Sequence, residues 1–196
     1  MRTVTYAFLS LLIPACAAAE PKTDPAKVPS GHYELDVRHT AVLASVLHEG
    51  VSHFIMRLDQ VSGAYDYDPA NPKASRISVN IDARSLDAGD PGVSKQFANE
   101  FLDAGHSPQI TFTSTAIRTT DPNHGQVSGN LTFHGVTRPV TLQVTYNGYS
   151  PNLVLGNRMG FSASTVIKRS DFNSKAWEGP VGDDVRITIE TEFVKK

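Results

Sequence analysis

The residues of this 196-residue chain that could do chemistry are its seven histidines and a scatter of acidic side chains. His48 and His53 stand five apart with Glu49 between them. A zinc-peptidase helix needs H-E-x-x-H, which puts two imidazoles on one helical face at i and i+4, and this spacing misses it. His48 therefore reads as a hydrogen-bonded structural side chain, and His39, His106 and His134 fall at turns or strand ends. Gly50-Val51-Ser52-His53-Phe54 only half-fits the G-x-S-x-G elbow of a serine hydrolase, and Ser52 beside His53 is adjacency without geometry. The carboxylate pairs Asp183-Asp184 and Glu190/Glu192 invite acid–base chemistry, but the second reads as the wet face of an edge-like strand. Cys16 is the only cysteine, so the folded domain has no disulfide and no thiolate. No glycine-rich phosphate loop is present. The expectation is a protein that catalyses nothing and holds neither metal nor cofactor.

Composition narrows the remaining classes. Apolar residues make up 40% and charged residues 19%, an ordinary globular balance. A formal charge of -2 and the lack of a basic stripe argue against nucleic acid as a partner. Arg2 followed by the apolar run Val4–Ile13 and the small residues Ala17-Ala18-Ala19 has the layout of a secretory signal peptide. The expected division is therefore a signal peptide over 1–19, a flexible proline-containing leader over 20–30 and one domain over 31–196. Cleavage after the alanines would release a soluble periplasmic protein. The alternative is a lipoprotein anchored through Cys16 in Ile13-Pro14-Ala15-Cys16.

The elements that would position any site are strands. Ile77, Val79 and Ile81 alternate with polar neighbours, as do Ile110 and Phe112, and Val127, Gly129, Leu131 and Phe133. The series continues through Val140, Leu142, Val144 and Tyr146, then Phe161, Ala163, Thr165 and Ile167, and ends with Val185, Ile187 and Ile189. Period-two patterning of this kind gives strands with one buried and one wet face. His134-Gly135-Val136-Thr137 and Asp121-Pro122-Asn123-His124-Gly125 break the pattern as hairpins, so an antiparallel meander is expected. About eight one-sided strands can close on themselves into a barrel just wide enough for one small ligand. Two helices are expected beside it. One covers Gly50–Leu58, on the i, i+3, i+4, i+7 spacing of Val51, Phe54, Ile55 and Leu58. The other follows Asp90 as N-cap and Pro91 at the first helical position, with Gly105 just past its end.

Three stretches resemble the YceI-like family. They are Leu131-Thr132-Phe133-His134-Gly135-Val136-Thr137-Arg138-Pro139-Val140-Thr141-Leu142, Phe101-Leu102-Asp103 with Pro108–Thr115, and Met159-Gly160-Phe161-Ser162-Ala163 through Ile167-Lys168-Arg169-Ser170-Asp171-Phe172. The resemblance covers Tyr33 to Val194 and implies an all-β fold, an antiparallel lipocalin-like barrel enclosing a polyisoprenoid chain. The chain departs from the family at Gly89–Phe97, where members often carry Arg-Asp and His-Leu pairs, and at Ser107, where they carry Tyr.

On that reading the inward-facing Val46, Phe54, Ile55, Val79, Phe112, Leu131, Phe133, Leu142, Phe161 and Trp177 line a cavity for an isoprenoid lipid or quinone. Arg158 and Lys168 are the candidates for its polar head. Storage or transfer with transient membrane exchange would follow, and a homodimer is left open. The alternative reading is an envelope-stress binding module for a small polar ligand or a protein partner, with no lipid cargo.

Overall fold

The computed structural model of the protein describes residues 24–196 apart from 153 and 155. The expected signal peptide and Cys16 lie outside the described residues.

Strands dominate, and all the pairings between them are antiparallel. Strands β1 (Gly31–Leu35) and β2 (Ala41–His48) turn back into β3 (Ser52–Leu58) and β4 (Val61–Tyr67). Strands β5 (Arg76–Asp82) and β6 (Leu86–Asp87) come next, followed by the helix α1 (Pro91–Leu102). The chain then runs through β7 (Gln109–Asp121), β8 (His124–Phe133), β9 (Val136–Ser150), β10 (Arg158–Lys168) and β11 (Val181–Lys195). The sheet order is β1-β4-β5-β7-β8-β9-β10-β11-β2-β3-β6, and a further pairing of β1 with β11 closes it.

The eleven segments amount to eight barrel staves. β1 and β2 are one stave interrupted by a single 3-10 turn at Val37–His39, and β5 and β6 are another interrupted at Ala83–Ser85. Between them β3 and β4 are joined through Asp59-Gln60, so the three neighbouring staves bend at one level. Hydrogen bonds bind this belt together: Asp59 N–H donates to the Ser85 carbonyl and Asp82 N–H to the Gln60 carbonyl, at 3.2 and 3.0 Å. Asp36 and Asp82 cap their turns, each accepting from the backbone N–H two residues on.

The alternation places every apolar series as its period demands. Turn chemistry also follows the sequence. His134 and Gly135 both take positive φ, 52° and 70°, the pair of left-handed residues that a two-residue hairpin turn between twisted strands requires. The helix starts as its residues dictate, with the Asp90 carboxylate accepting from Val93 N–H at 2.9 Å and Pro91 in the first turn. Its end differs: Asp103, not Gly105, takes the left-handed conformation, at φ 52°.

The structure overturns the helix expected over Gly50–Leu58. That segment is the hairpin of β2 and β3, turning through Glu49 and Gly50 at φ 50° and 73°. Phe54, Met56 and Leu58 face inward while Val51 and Ile55 are exposed, so the i, i+2, i+4 set outweighed the helical one. β11 is likewise no edge strand, since it pairs with β10 on one side and with β2 and β1 on the other. The described part of the leader packs rather than dangles. Val28 is 1% exposed in a cluster with Tyr33, Tyr65, Tyr146, Met159 and Phe193, and the Tyr67 and Tyr33 hydroxyls donate to the Pro25 and Pro29 carbonyls at 2.7 and 2.6 Å.

Candidate functional site

The barrel interior is a cavity of about 730 Å³ that runs from the tyrosine end to the helix end. A volume of this size falls within the roughly 300–1,000 Å³ of small-molecule pockets. Its wall is the inward set of the alternating strands: Val79, Phe112, Leu131, Leu142, Phe161, Ile187 and their neighbours. Several of these residues, including Leu131, Val140, Leu142 and Ile187, keep accessible surface although they point inward, because the surface they expose is cavity wall. A packed interior would leave them none.

Aromatic side chains crowd the two ends in different ways. At the tyrosine end Tyr65 packs edge-on against Phe161 and Phe193, at 5.9 Å between ring centres in both cases. Burial with neighbouring phenols raises the Tyr65 hydroxyl well above the ordinary tyrosine range and pushes that of Tyr33 up to about 12, so both stay neutral. At the other end α1 lies over the barrel. Phe97 contacts Phe54, Phe101 and Trp177 at 5.5, 5.1 and 6.0 Å. The Trp177 indole N–H donates to Glu100 at 2.7 Å and the Ser174 hydroxyl to the Phe101 carbonyl at 2.7 Å, which ties the helix to the loop following β10. Trp177 is 46% exposed and has φ 54°, a left-handed conformation that is rare for a bulky residue and that holds the indole across the cavity mouth.

Of the residues expected to line a cavity, Val46, Phe54, Val79, Phe112, Leu131, Phe133, Leu142, Phe161 and Trp177 do so. Ile55 does not. It is 60% exposed on the outer face, since the neighbour of an inward Phe54 in a strand must point out. The two head-group candidates are also misplaced. Lys168 points outward and pairs with Asp184 at 2.8 Å. Arg158 reaches Glu192 at 2.8 Å and Asp36 at 3.3 Å, and belongs to an outer cluster with His39. Both sit at the wrong parity on β10, where Phe161, Ala163, Thr165 and Ile167 set the inward positions. The same parity reaches Arg169, which does line the cavity and which the pattern could have supplied. Phe97 and Phe101 were visible as the apolar face of the helix, but their place over the mouth depends on tertiary packing.

The outer cluster of Asp36, His39 and Glu192 has the donors of a metal site, yet Arg158 already supplies the cation between the two carboxylates. The hydrogen bond from His39 holds the Asp36 carboxyl below its usual range. His48 and His53 sit on the β2–β3 hairpin rather than on a helix, with His48 at the cavity end.

A closed antiparallel meander built around an apolar cavity is the architecture of a lipocalin-like barrel. The chain belongs to the YceI-like family: the YceI-like domain matches residues 33–193. A UPF0312 protein from Pseudomonas fluorescens is 33% identical over 87% of this chain and 90% of its own length. The crystal structure of BcnA from Burkholderia cenocepacia superposes with a TM-score of 0.72 at 29% identity, over 81% of this chain and 98% of that one. A polyisoprenoid-binding domain from Saccharophagus degradans shares the fold, with a TM-score of 0.67 at 14% identity over 86% of this chain and all of that domain.

Proposed function

We propose that the protein carries a long isoprenoid lipid, a polyprenyl chain or the tail of a quinone, inside the barrel in the bacterial periplasm. The observation that carries this reading is the cavity of about 730 Å³, elongated and walled by aliphatic and aromatic side chains. A small polar ligand would find almost no hydrogen-bond partners along that wall, whereas a hydrocarbon loses nothing there. Family membership and the shared fold of a polyisoprenoid-binding domain point the same way.

Burial of a hydrocarbon chain yields about 0.8 kcal/mol per CH₂ relative to water. A bilayer offers the same gain, so net affinity rests on the fit of the tail and on contacts to the head. Such a balance suits reversible storage or transfer. The exposed apolar side chains Val51, 80% exposed at the hairpin tip, Ile55 and Trp177 support exchange with a membrane. Native mass spectrometry of the protein from its own envelope, followed by lipid extraction, tests the reading. About one prenyl lipid per chain is expected. An empty protein that takes up no added prenyl lipid refutes it.

A further inference from the structure

The cavity wall is apolar between its ends, and at the helix end a full positive charge lies beneath the lid. Arg169 is 5% exposed and lines the cavity. Its guanidinium donates from Nε to the Gly182 carbonyl at 2.9 Å, from Nη1 to the Ser174 and Ala176 carbonyls at 2.9 and 2.7 Å, and from Nη2 to the Val181 carbonyl at 2.9 Å. These bonds brace the loop that carries Trp177. They engage four of the five N–H groups that a guanidinium offers and leave one on Nη2 without an acceptor among the described residues. The Phe101 ring of the lid covers the guanidinium carbon at 5.7 Å.

No carboxylate forms an ion pair with this group among the described residues. Asp183, which contributes to its field, spends its oxygens on the Ser170 N–H and hydroxyl, both at 2.9 Å. A buried guanidinium is costly unless a negative charge meets it. Backbone carbonyls offset part of that cost with their dipoles but leave the net charge in place. His48, opposite Val181, and Ser174 are further polar side chains at this end of the wall.

We infer that Arg169 forms the head-group subsite of the cavity, and that the site selects an amphiphile with an anionic oxygen head, a phosphate or a carboxylate, over the alcohol with the same tail. The inference rests on the carrier reading above. The head would sit under α1 with its oxygens toward Nη2, and the tail would extend toward the tyrosine end. A charge-assisted hydrogen bond in so dry a place is worth about tenfold or more in affinity.

The test is displacement of an apolar fluorescent probe from the delipidated full chain by geranylgeranyl phosphate, geranylgeranoic acid and geranylgeraniol. The acids are expected to bind about tenfold or more tightly than the alcohol. Arg169→Lys should keep part of that preference and Arg169→Met should lose it while the alcohol still binds. Equal binding of acid and alcohol to the unaltered protein overturns the inference and leaves the carrier reading standing, with Arg169 as a loop brace only. That outcome needs no variant to fold. Binding of none of them overturns both readings.

Discussion

Substitution of Ala163 by Phe separates an open barrel from a packed one by the sign of a single free energy. Ala163 sits midway along β10, between Val144 of β9 and Ile189 of β11, with its methyl group on the cavity wall. In a packed core the added ring must displace neighbours, at a cost of typically 1–3 kcal/mol. In the observed barrel the ring enters space already enclosed, and burial of a Phe-sized side chain contributes about 1.5–3 kcal/mol relative to exposure. The expectation is therefore unchanged or raised stability of the lipid-free protein, by up to about 2 kcal/mol, or some 4–8 °C in Tm for a domain of this size. Urea unfolding of delipidated protein, checked by thermal melts, measures this. Prenyl-lipid uptake by the same variant should fall sharply, because the ring occupies the path of the tail. A loss of 1–3 kcal/mol would mean that the interior is filled in solution and would refute the cavity argument.

Gly129 faces Phe112 so closely that a Cβ there would lie 2.4 Å from the ring and 2.6 Å from the Thr113 carbonyl oxygen. Gly129→Ala should cost about 2–3 kcal/mol in urea unfolding, since the backbone oxygen cannot give way. Asp36 has its carboxyl lowered first by the His39 hydrogen bond, so its contribution to stability is present above the unfolded pKa near 4 and is lost as pH falls through the lower folded value. Asp36→Asn should thus be less stable than the parent at pH 7, with the gap in urea midpoint closing towards pH 3. Asp90→Ala removes the cap of the lid helix and should cost about 1 kcal/mol, with hydrogen exchange of α1 rising before that of the strands. Val51→Ser with Ile55→Ser should slow lipid transfer to vesicles while leaving the melting temperature within about 2 °C, because both side chains are exposed.

The strands and turns were legible because period two and turn chemistry are local properties. His134-Gly135 needs only its own backbone to declare a hairpin, and Phe161 through Ile167 need only their alternation. The segment at Val51–Leu58 was not, because it satisfies two periods at once and the choice is made by pairing with β2, a non-local event. Arg158 and Lys168 carry the charge that a polar head calls for, but the parity of β10 turns both outward and brings Arg169 to the cavity instead. That the barrel is hollow could not be read from any residue. Leu131 or Ile187 fills a core or lines a void equally well, and which it does depends on how many staves close the circle and at what tilt.

That closure has a kinetic consequence. Seven of the eight junctions between staves join sequence neighbours and can zip progressively from the tight turns outward. The eighth joins β1 to β11 through Tyr33 opposite Lys195 and Leu35 opposite Phe193, across nearly the whole chain. A polypeptide emerging from its N-terminus can pair one edge of its first stave early, through β4 and β3, but must leave the other edge bare until its last strand has been made. Long-range pairing of this kind places folding in the millisecond-to-second range of barrel proteins, with ring closure among its final steps. Until then an apolar sheet face and two bare edges stand open to other chains, and the interval before closure is also the moment at which the interior is most accessible to a hydrocarbon guest.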